Sequence, residues 1–417
     1  MALTMLPFTV LAAPLKGEGT QENPYTIGTA EELKAFRDEV NAGENFSGQY
    51  VVLTADIVLN NEEFDTIGPT SDLAFAGTFD GCGYEITGLY STNRGLFGYL
   101  NGTVRNLGVR GEVPYSGDYA GGVVARNNSG LVGNCYSYVD VSCTATGAGG
   151  VVGYNGSDGT VRNCYHNGTV YGSSYAGGVA GQSYGTVENC YHLGNVSASS
   201  TGRAGGIVGI GGNTANSYSV GEVSGARYLG GAVGSLSGTP TVQGVFYNSE
   251  AYTGAPEAIE GVTGLAAEQF KVLEAFTGWD FDGVWKMSAA LGRPVLRSVP
   301  EDTGAGTQED PYIIPNKAAL EDFRDSVNGG KTYAGEYVVV TADINLYGSE
   351  DAQWTPIGSS ANRFLGAFDG GSHEIHGLYI NDTAISTGNY KGLFGYLGEG
   401  GMIQNISVSP VLSLKAA

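Results

Sequence analysis

Two phrases that contain histidine are the first candidates for metal chemistry. His373-Glu-Ile-His376 is one residue short of H-E-x-x-H, the pattern that places two zinc-binding histidines on one helix face. It follows Asp369-Gly-Gly in a stretch that predicts a strand, so we predict no zinc site there. His166 and His192 each follow a tyrosine in equivalent repeats. We expect them to face solvent in one column, with a shared metal ion as the alternative.

Acidic residues recur in two phrases that could carry hydrolytic or calcium chemistry. Asp80 and Asp369 stand in Phe-Asp-Gly, and Asp56 and Asp343 stand in Thr-Ala-Asp-Ile. Polysaccharide lyases and hydrolases built on β-helices use clustered acids, often with calcium or a basic residue. Here no column of lysine or arginine accompanies the acids, and Asp-Gly is a common turn pair. We predict no catalytic residue, no metal site and no cofactor, with calcium at the acidic loops as the alternative.

The chain repeats itself on two scales. Gly19-Thr-Gln-Glu-Asn-Pro-Tyr25 returns as Gly306-Thr-Gln-Glu-Asp-Pro-Tyr312, which indicates one complete module and the first part of a second. Within the first module, a Gly-x-x-Gly-like phrase recurs about every 28 residues. Its copies begin at Gly95, Gly122, Gly150, Gly178, Gly206 and Gly231. Each copy is short, glycine-rich and punctuated by turn pairs such as Asn-Gly, so we predict short strands.

A period near 28 with several strands per period predicts an all-β fold, a parallel β-helix with one coil per repeat. Short helices over residues 30–41 and 317–328 are expected to cap it, and a third is expected near 265–276. Equivalent residues should then stack about 4.8 Å apart in columns. An inward valine column is predicted from Val104, Val132, Val161, Val187, Ala215 and Val242.

Three further columns follow the valines. Stacked asparagines at a coil bend predict a structural ladder of Asn106, Asn134, Asn163, Asn189 and Asn216. Cys135, Cys164 and Cys190 share a column with Leu107 and Val245, which favours small core fillers over reactive thiols. The aromatic column comprises Tyr136, Tyr165, Tyr191 and Tyr218. These tyrosines are either a buried structural stack or, if exposed, a platform for sugar rings.

Composition limits the partners. The chain has 20 Lys+Arg against 42 Asp+Glu and a formal net charge of −22. A polyanion requires a basic face, so we predict no nucleic-acid partner. No run of 18 apolar residues is present, so we predict no membrane insertion.

Five segments are predicted. Residues 1–16 are a truncated secretory signal or merely an apolar leader, because the charged start of a signal is missing. Residues 17–110 are the helix-capped first part of module 1, and residues 111–250 are the repeat coils. Residues 251–300 form a closing helix and Trp-rich segment, and residues 301–417 form an incomplete second module. We expect the chain to be a monomeric part of a longer protein.

The glycine phrases resemble the GLUG-motif repeats of bacterial surface proteins, seen here as Gly95-Leu-Phe-Gly98 and Gly392-Leu-Phe-Gly395. The resemblance extends over nearly the whole chain from Gly17, although copies from Gly122 onward replace the leucine. Such repeats also occur beside the catalytic part of secreted immunoglobulin-A-cleaving metallopeptidases. The resemblance implies a secreted or wall-attached, adhesin-like β-helix and implies no activity.

Two functions remain open from the sequence. The first is a non-catalytic extracellular segment, structural or adhesive, that binds a host glycan or surface protein. The second is a polysaccharide-processing β-helix enzyme, or an accessory region of a secreted peptidase. An enzyme needs unlike groups gathered at one irregular place, whereas this sequence offers uniform columns. We therefore predict a protein of the cell surface that is not an enzyme.

Overall fold

The computed structural model describes residues 15–225, 227–252, 258–288, 291–299, 304, 306–308, 311–314, 317–341, 343–346, 348–349, 353–380 and 391–410. The fold is the predicted all-β parallel solenoid, with about 13 turns that are about 28 residues apart. It divides into two compact units, Met1–Ser288 with Gly292–Glu301 and Asp302–Ala417 with Ala289–Leu291. The expected signal segment at residues 1–16 lies outside the described residues except for Leu15 and Lys16.

In the first unit, complete turns have four parallel strand segments, and equivalent segments stack along the axis. The first stack runs Tyr25–Ile27, Tyr50–Leu53, Thr78–Asp80, Thr103–Arg105, Leu131–Gly133, Thr160–Arg162, Thr186–Glu188, Asn213–Ser219 and Val242–Asn248. The C-terminal ends of Asn213–Ser219 and Val242–Asn248 also belong to the second stack. Its other members are Ile57–Val58, Glu85–Tyr90, Gly108–Tyr115, Tyr136–Cys143, Tyr165–His166, Val170–Gly172, Tyr191–His192, Val196–Ala198, Val223–Ser224 and Val262–Leu265.

The other two stacks lie on either side of a glycine bend. The third stack contains Tyr119–Gly121, Gly147–Gly149, Tyr175–Gly177, Arg203–Gly205 and Tyr228–Gly230. The fourth contains Phe97–Leu100, Val124–Asn127, Val152–Asn155, Ala180–Ser183 and Val208–Ile210. One apolar core runs inside all four stacks.

Among the described residues of the first unit, one α-helix is present, Ala30–Asn41, as predicted. The Thr29 hydroxyl accepts from the Glu32 amide at 3.2 Å, and the Glu32 carboxylate accepts from the Gly28 amide at 2.8 Å. The helix buries Leu33 and Phe36 completely, so it belongs to the solenoid core.

The prediction of a third helix near residues 265–276 is wrong. Residues 265–276 instead contain two short 3₁₀ helices, Ala267–Lys271 and Leu273–Ala275. Val272 between them has extended backbone angles, φ −108° and ψ 114°, which interrupts the helical path. An antiparallel hairpin follows, formed by Trp285–Ser288 and Arg293–Leu296. We call the 3₁₀ helices and this hairpin, within residues 267–296, the closing segment.

The second unit repeats the start of the first and confirms a helix at Lys317–Asn328. One parallel stack contains Tyr312–Ile314, Tyr337–Val340, Ala367–Asp369 and Met402–Gln404. The other contains Ile344–Asn345, Glu374–Leu378 and Ser407–Pro410. The His373-Glu-Ile-His376 phrase lies largely on the strand Glu374–Leu378, as its surroundings predicted.

The inward column of the first stack contains Val104, Val132, Val161, Val187, Thr214 and Val242. The prediction of Ala215 in this column is wrong by one residue. Ala215 pairs with Glu188, so the asparagine that follows keeps the register of the bend. Thr214 is fully buried, and its hydroxyl donates to the Gly212 carbonyl at 3.2 Å.

Candidate functional site

The asparagine column lies at the bend between the first and second stacks. The five predicted residues, Asn106, Asn134, Asn163, Asn189 and Asn216, all have left-handed backbone angles, with φ between 46° and 53°. Asparagine tolerates this conformation better than most residues. Asn134 donates to the Asn106 side-chain oxygen at 3.0 Å, and Asn163 donates to that of Asn134 at 3.1 Å. These residues therefore support the bend.

Asp80 terminates this ladder. Its carboxylate accepts from Asn106 at 2.9 Å, from the Cys82 amide at 2.9 Å and from Arg105 at 2.8 Å. Burial alone would raise the pKa of Asp80, but these hydrogen bonds and the Arg105 charge hold it below its usual value. Asp369 of the second unit receives the corresponding bonds from Asn405 and the Gly371 amide. Both acids therefore stabilise turns.

The tyrosine column is buried, although it lies on the side of the strand opposite the cysteine column. Tyr136, Tyr165, Tyr191 and Tyr218 stack with ring centroids 4.8–5.4 Å apart and are at most 4% exposed. The closing segment lies close to this column. The ring centroids of Trp285 and Tyr191 are 6.1 Å apart, and the Tyr218 hydroxyl donates to the Pro294 carbonyl at 2.7 Å. A ligand platform needs an exposed ring face, and these four rings have none.

The histidine pair lies inside the solenoid, so the expectation of solvent-facing side chains is wrong. His166 and His192 are fully buried with parallel rings 5.0 Å apart. A Cβ on Gly150 would lie 2.1 Å from His166 Cγ, and one on Gly178 would lie 2.2 Å from His192 Cγ. The second glycine of each Gly-Gly bend therefore makes room for a side chain of this column.

Burial keeps both imidazoles neutral, and hydrogen bonds to backbone carbonyls orient the two rings. His166 donates from Nε2 to the Val139 carbonyl at 2.9 Å, and His192 donates from Nδ1 to the His166 carbonyl at 3.1 Å. Burial lowers the pKa of His166 to about 4. Burial and then the neighbouring His166 lower the pKa of His192 well below its usual value. No group of three or more His, Cys, Asp or Glu side chains that could hold a metal occurs among the described residues.

We expect stability to fall as the solution is acidified, because the unfolded chain binds protons near pH 6.5 and the buried histidines do not. The stability that the neutral histidines preserve is fully present above about pH 6.5, and it is lost as the pH falls towards 4. For His166 alone the loss is about 3 kcal/mol at pH 4. Urea unfolding between pH 4 and 8 measures it. A His166→Ser/His192→Ser variant, which copies Ser137 and Ser219 of the same column, should show a shallower slope. An unchanged slope would contradict the assignment.

A different set of aromatic side chains faces outward at the glycine bend. On the fourth stack, Tyr99, Arg126, Tyr154 and Gln182 pair in register. On the third stack, the corresponding residues are Tyr119, Tyr175, Arg203 and Tyr228, with Gly147 between the first two. All except Gln182 are partly exposed. We call these eight side chains the tyrosine–arginine face.

The two columns of this face converge across the bend. The Arg126 guanidinium carbon lies 4.9 Å from the Tyr119 ring centroid and 4.6 Å from that of Tyr154. The rings of Tyr119 and Tyr154 are 5.2 Å apart. Tyr119 donates to Gln182 at 2.6 Å, and burial raises the pKa of Tyr119 to about 12, so it remains a neutral donor. The face therefore combines rings with polar groups at the spacing of the coils.

The sequence analysis missed this face because its columns contain unlike residues. One column is the position after each Gly-x-x-Gly-like phrase, which reads Tyr99, Arg126, Tyr154, Gln182 and Ile210. The other precedes the Gly-Gly bend, as in Tyr119-Ala-Gly-Gly and Tyr175-Ala-Gly-Gly. Alignment of the repeats on their glycines would have found both columns.

Comparisons with known proteins find similarity to parts of two longer proteins. No protein-family model matches the chain, so the GLUG-motif resemblance stays a prediction. A protein of Evansella cellulosilytica named "Putative Gly-rich membrane protein" is 38% identical over 107 residues, which are 25% of this chain and 12% of that protein. Halomucin of Haloquadratum walsbyi is 32% identical over 189 residues, which are 42% of this chain and 2% of that protein. The chain thus spans a small part of the length of either relative.

One solved structure is similar in its backbone, that of a "putative immunoglobulin A1 protease" from Bacteroides ovatus. The superposition has a TM-score of 0.46 and 22% sequence identity, and it covers 68% of this chain and 95% of that chain. In the part of our chain that the structure describes, no helix is long and apolar enough to cross a membrane.

Proposed function

We propose that this chain is a non-catalytic extracellular segment of a cell-surface protein, which binds glycans along the tyrosine–arginine face. The observation that carries the proposal is the register of that face. Tyrosine and arginine side chains recur along the stacked coils, outside the core and partly exposed. A coil rise of about 4.8 Å is close to the length of one sugar unit in a linear glycan. Repeated sites of this kind suit weak, multivalent binding.

The location and the lack of catalysis are part of the same proposal. A relative named as a membrane protein supports a place at the cell surface. Asp80 is one of the acids that could act in a β-helix enzyme. Its carboxylate accepts hydrogen bonds from Arg105, Asn106 and the Cys82 amide. A glycosidase needs a proton-donating acid of raised pKa, whereas the pKa of Asp80 is lowered. This supports a binding segment over a polysaccharide-processing enzyme.

The proposal is tested by binding of the purified chain to a panel of immobilised neutral and acidic glycans. A Tyr154→Ala variant should bind about tenfold more weakly, because it removes one ring of the face. Tyr171→Ala is the matched control, since Tyr171 is 38% exposed but lies on the second stack. Thermal unfolding of both variants shows that they are folded.

Three results would overturn this function. One is equal binding by the Tyr154→Ala variant and the wild-type chain, which would place the contact elsewhere. The second is depolymerisation of a polysaccharide that Asp80→Asn or Asp369→Asn abolishes, which would make the chain an enzyme. Binding to a surface protein without any glycan would also contradict the proposal.

A further inference from the structure

The tyrosine–arginine face is unusual in its charge. The chain has a net charge of −22, yet Arg126 and Arg203 lie on this face and Arg94 and Arg227 lie beside it. Arg94 is 5.3 Å from the Tyr99 ring centroid, and Arg227 is 5.3 Å from that of Tyr228. Among the residues that the structure describes, no carboxylate oxygen lies within 4.0 Å of any of these four guanidinium groups, unlike Arg105 and Arg110.

Among the described residues, the groups that hold the Arg126 guanidinium are aromatic rings. Its guanidinium carbon lies 4.6–5.6 Å from the ring centroids of Tyr99, Tyr119 and Tyr154. Within the described part of the chain its Nε atom is buried and has no hydrogen-bond partner, whereas the two Nη atoms are neither buried nor bonded. The rings therefore orient the guanidinium group and leave its Nη end available for a hydrogen-bonding ligand.

A carboxylate is the group that this Nη end fits. Arginine binds carboxylates through paired, charge-assisted hydrogen bonds, and a group pre-oriented by its neighbours loses little entropy on binding. Tyr119 and Tyr154 flank the guanidinium, so a sugar ring beside the carboxylate can stack on either. The overall charge repels long polyanions, but screening limits that repulsion to about 8 Å at physiological ionic strength. A neutral glycan with a single carboxylate supplies the group that Arg126 binds and carries too little negative charge to be repelled.

We propose that the ligand of the tyrosine–arginine face is an oligosaccharide with one carboxylated sugar, whose carboxylate binds Arg126 while adjacent sugars stack on Tyr119 and Tyr154. This inference rests on the proposed function and specifies its ligand class. Sialic and uronic acids share the required chemistry, so both are tested.

The experiment is calorimetric titration of the full chain with sialyllactose and with glucuronyl-xylobiose, each beside its neutral counterpart, lactose or xylotriose. At least one acidic sugar should bind about tenfold more tightly than its counterpart. Arg126→Gln should remove that preference, and Arg126→Lys should restore it only in part because lysine lacks the paired donors. Arg162→Gln, a change on the outward side of the first stack, should have no effect.

The outcomes separate this inference from the proposed function. Equal binding of acidic and neutral sugars, reduced by Tyr154→Ala, would overturn the carboxylate assignment and leave glycan binding intact. An acidic preference that persists in Arg126→Gln would also overturn it. Binding of an acidic peptide or single-stranded nucleic acid with no binding of any sugar would overturn both proposals.

Discussion

Replacing Gly178 with alanine should destabilise the first unit by about 3 kcal/mol or more. The added Cβ would lie 2.1 Å from the Gly206 carbonyl oxygen and 2.2 Å from His192 Cγ. The carbonyl belongs to the next coil and His192 is fully buried, so neither can move away without disturbing the stack. Urea unfolding measures the change in the free energy of unfolding.

Gly133→Ala is the matched control for this prediction. Gly133 lies on the outward column of the first stack, and its nearest neighbours to a new Cβ are 3.7 Å away. We expect this variant to be as stable as the wild-type chain. If Gly178→Ala were equally well tolerated, the bend would have room that the structure does not show.

Replacing Cys164 with aspartate should cost roughly 4 kcal/mol or more, whereas replacing it with valine should cost less than about 1.5 kcal/mol. Cys164 is fully buried within the apolar core, and burial raises the pKa of its thiol well above the usual value. Val245 occupies an equivalent position on the same column, so a branched apolar side chain fits there. A carboxylate would have no cationic partner.

The cysteine variants are compared by urea unfolding at neutral pH. A Gln243→Asp variant serves as the control, because Gln243 is exposed on the outward column of the first stack and should tolerate the charge. Equal stability of Cys164→Asp and Cys164→Val would mean that this column faces solvent.

The solenoid and most of its columns could be predicted because each is a property of the repeat. Asn134 and Asn163 are equivalent by spacing alone, and a bend that needs left-handed angles explains why that position is asparagine. The one error of register, Ala215, came from a copy in which threonine replaces valine.

The direction of the tyrosine column could not be predicted, because what covers it is not part of the repeat. Pro294, which accepts the Tyr218 hydroxyl, is 76 residues further along the chain. The histidines were misplaced for a related reason. Their polarity suggested solvent, but the glycines opposite them and the carbonyls of Val139 and His166 provide a buried polar site.

The tyrosine–arginine face could be identified only from the sequence and the fold together. The sequence gives no cluster of basic residues, since Arg94, Arg126, Arg203 and Arg227 are far apart along the chain. Stacking of the coils brings Arg126 beside Tyr99, Tyr119 and Tyr154. Arginine and tyrosine were therefore visible as residues, but their grouping depends on the fold.

The central claim is that ligands contact the outward tyrosines and not the buried column. Fluorine NMR of the chain labelled with fluorotyrosine tests it most directly, with signals assigned by single Tyr→Phe variants. On addition of a glycan that binds, we expect the signals of Tyr119 and Tyr154 to shift while those of Tyr165 and Tyr191 stay unchanged. Shifts confined to Tyr165 and Tyr191 would contradict the account, because they would show that ligands displace the closing segment and bind the column beneath it.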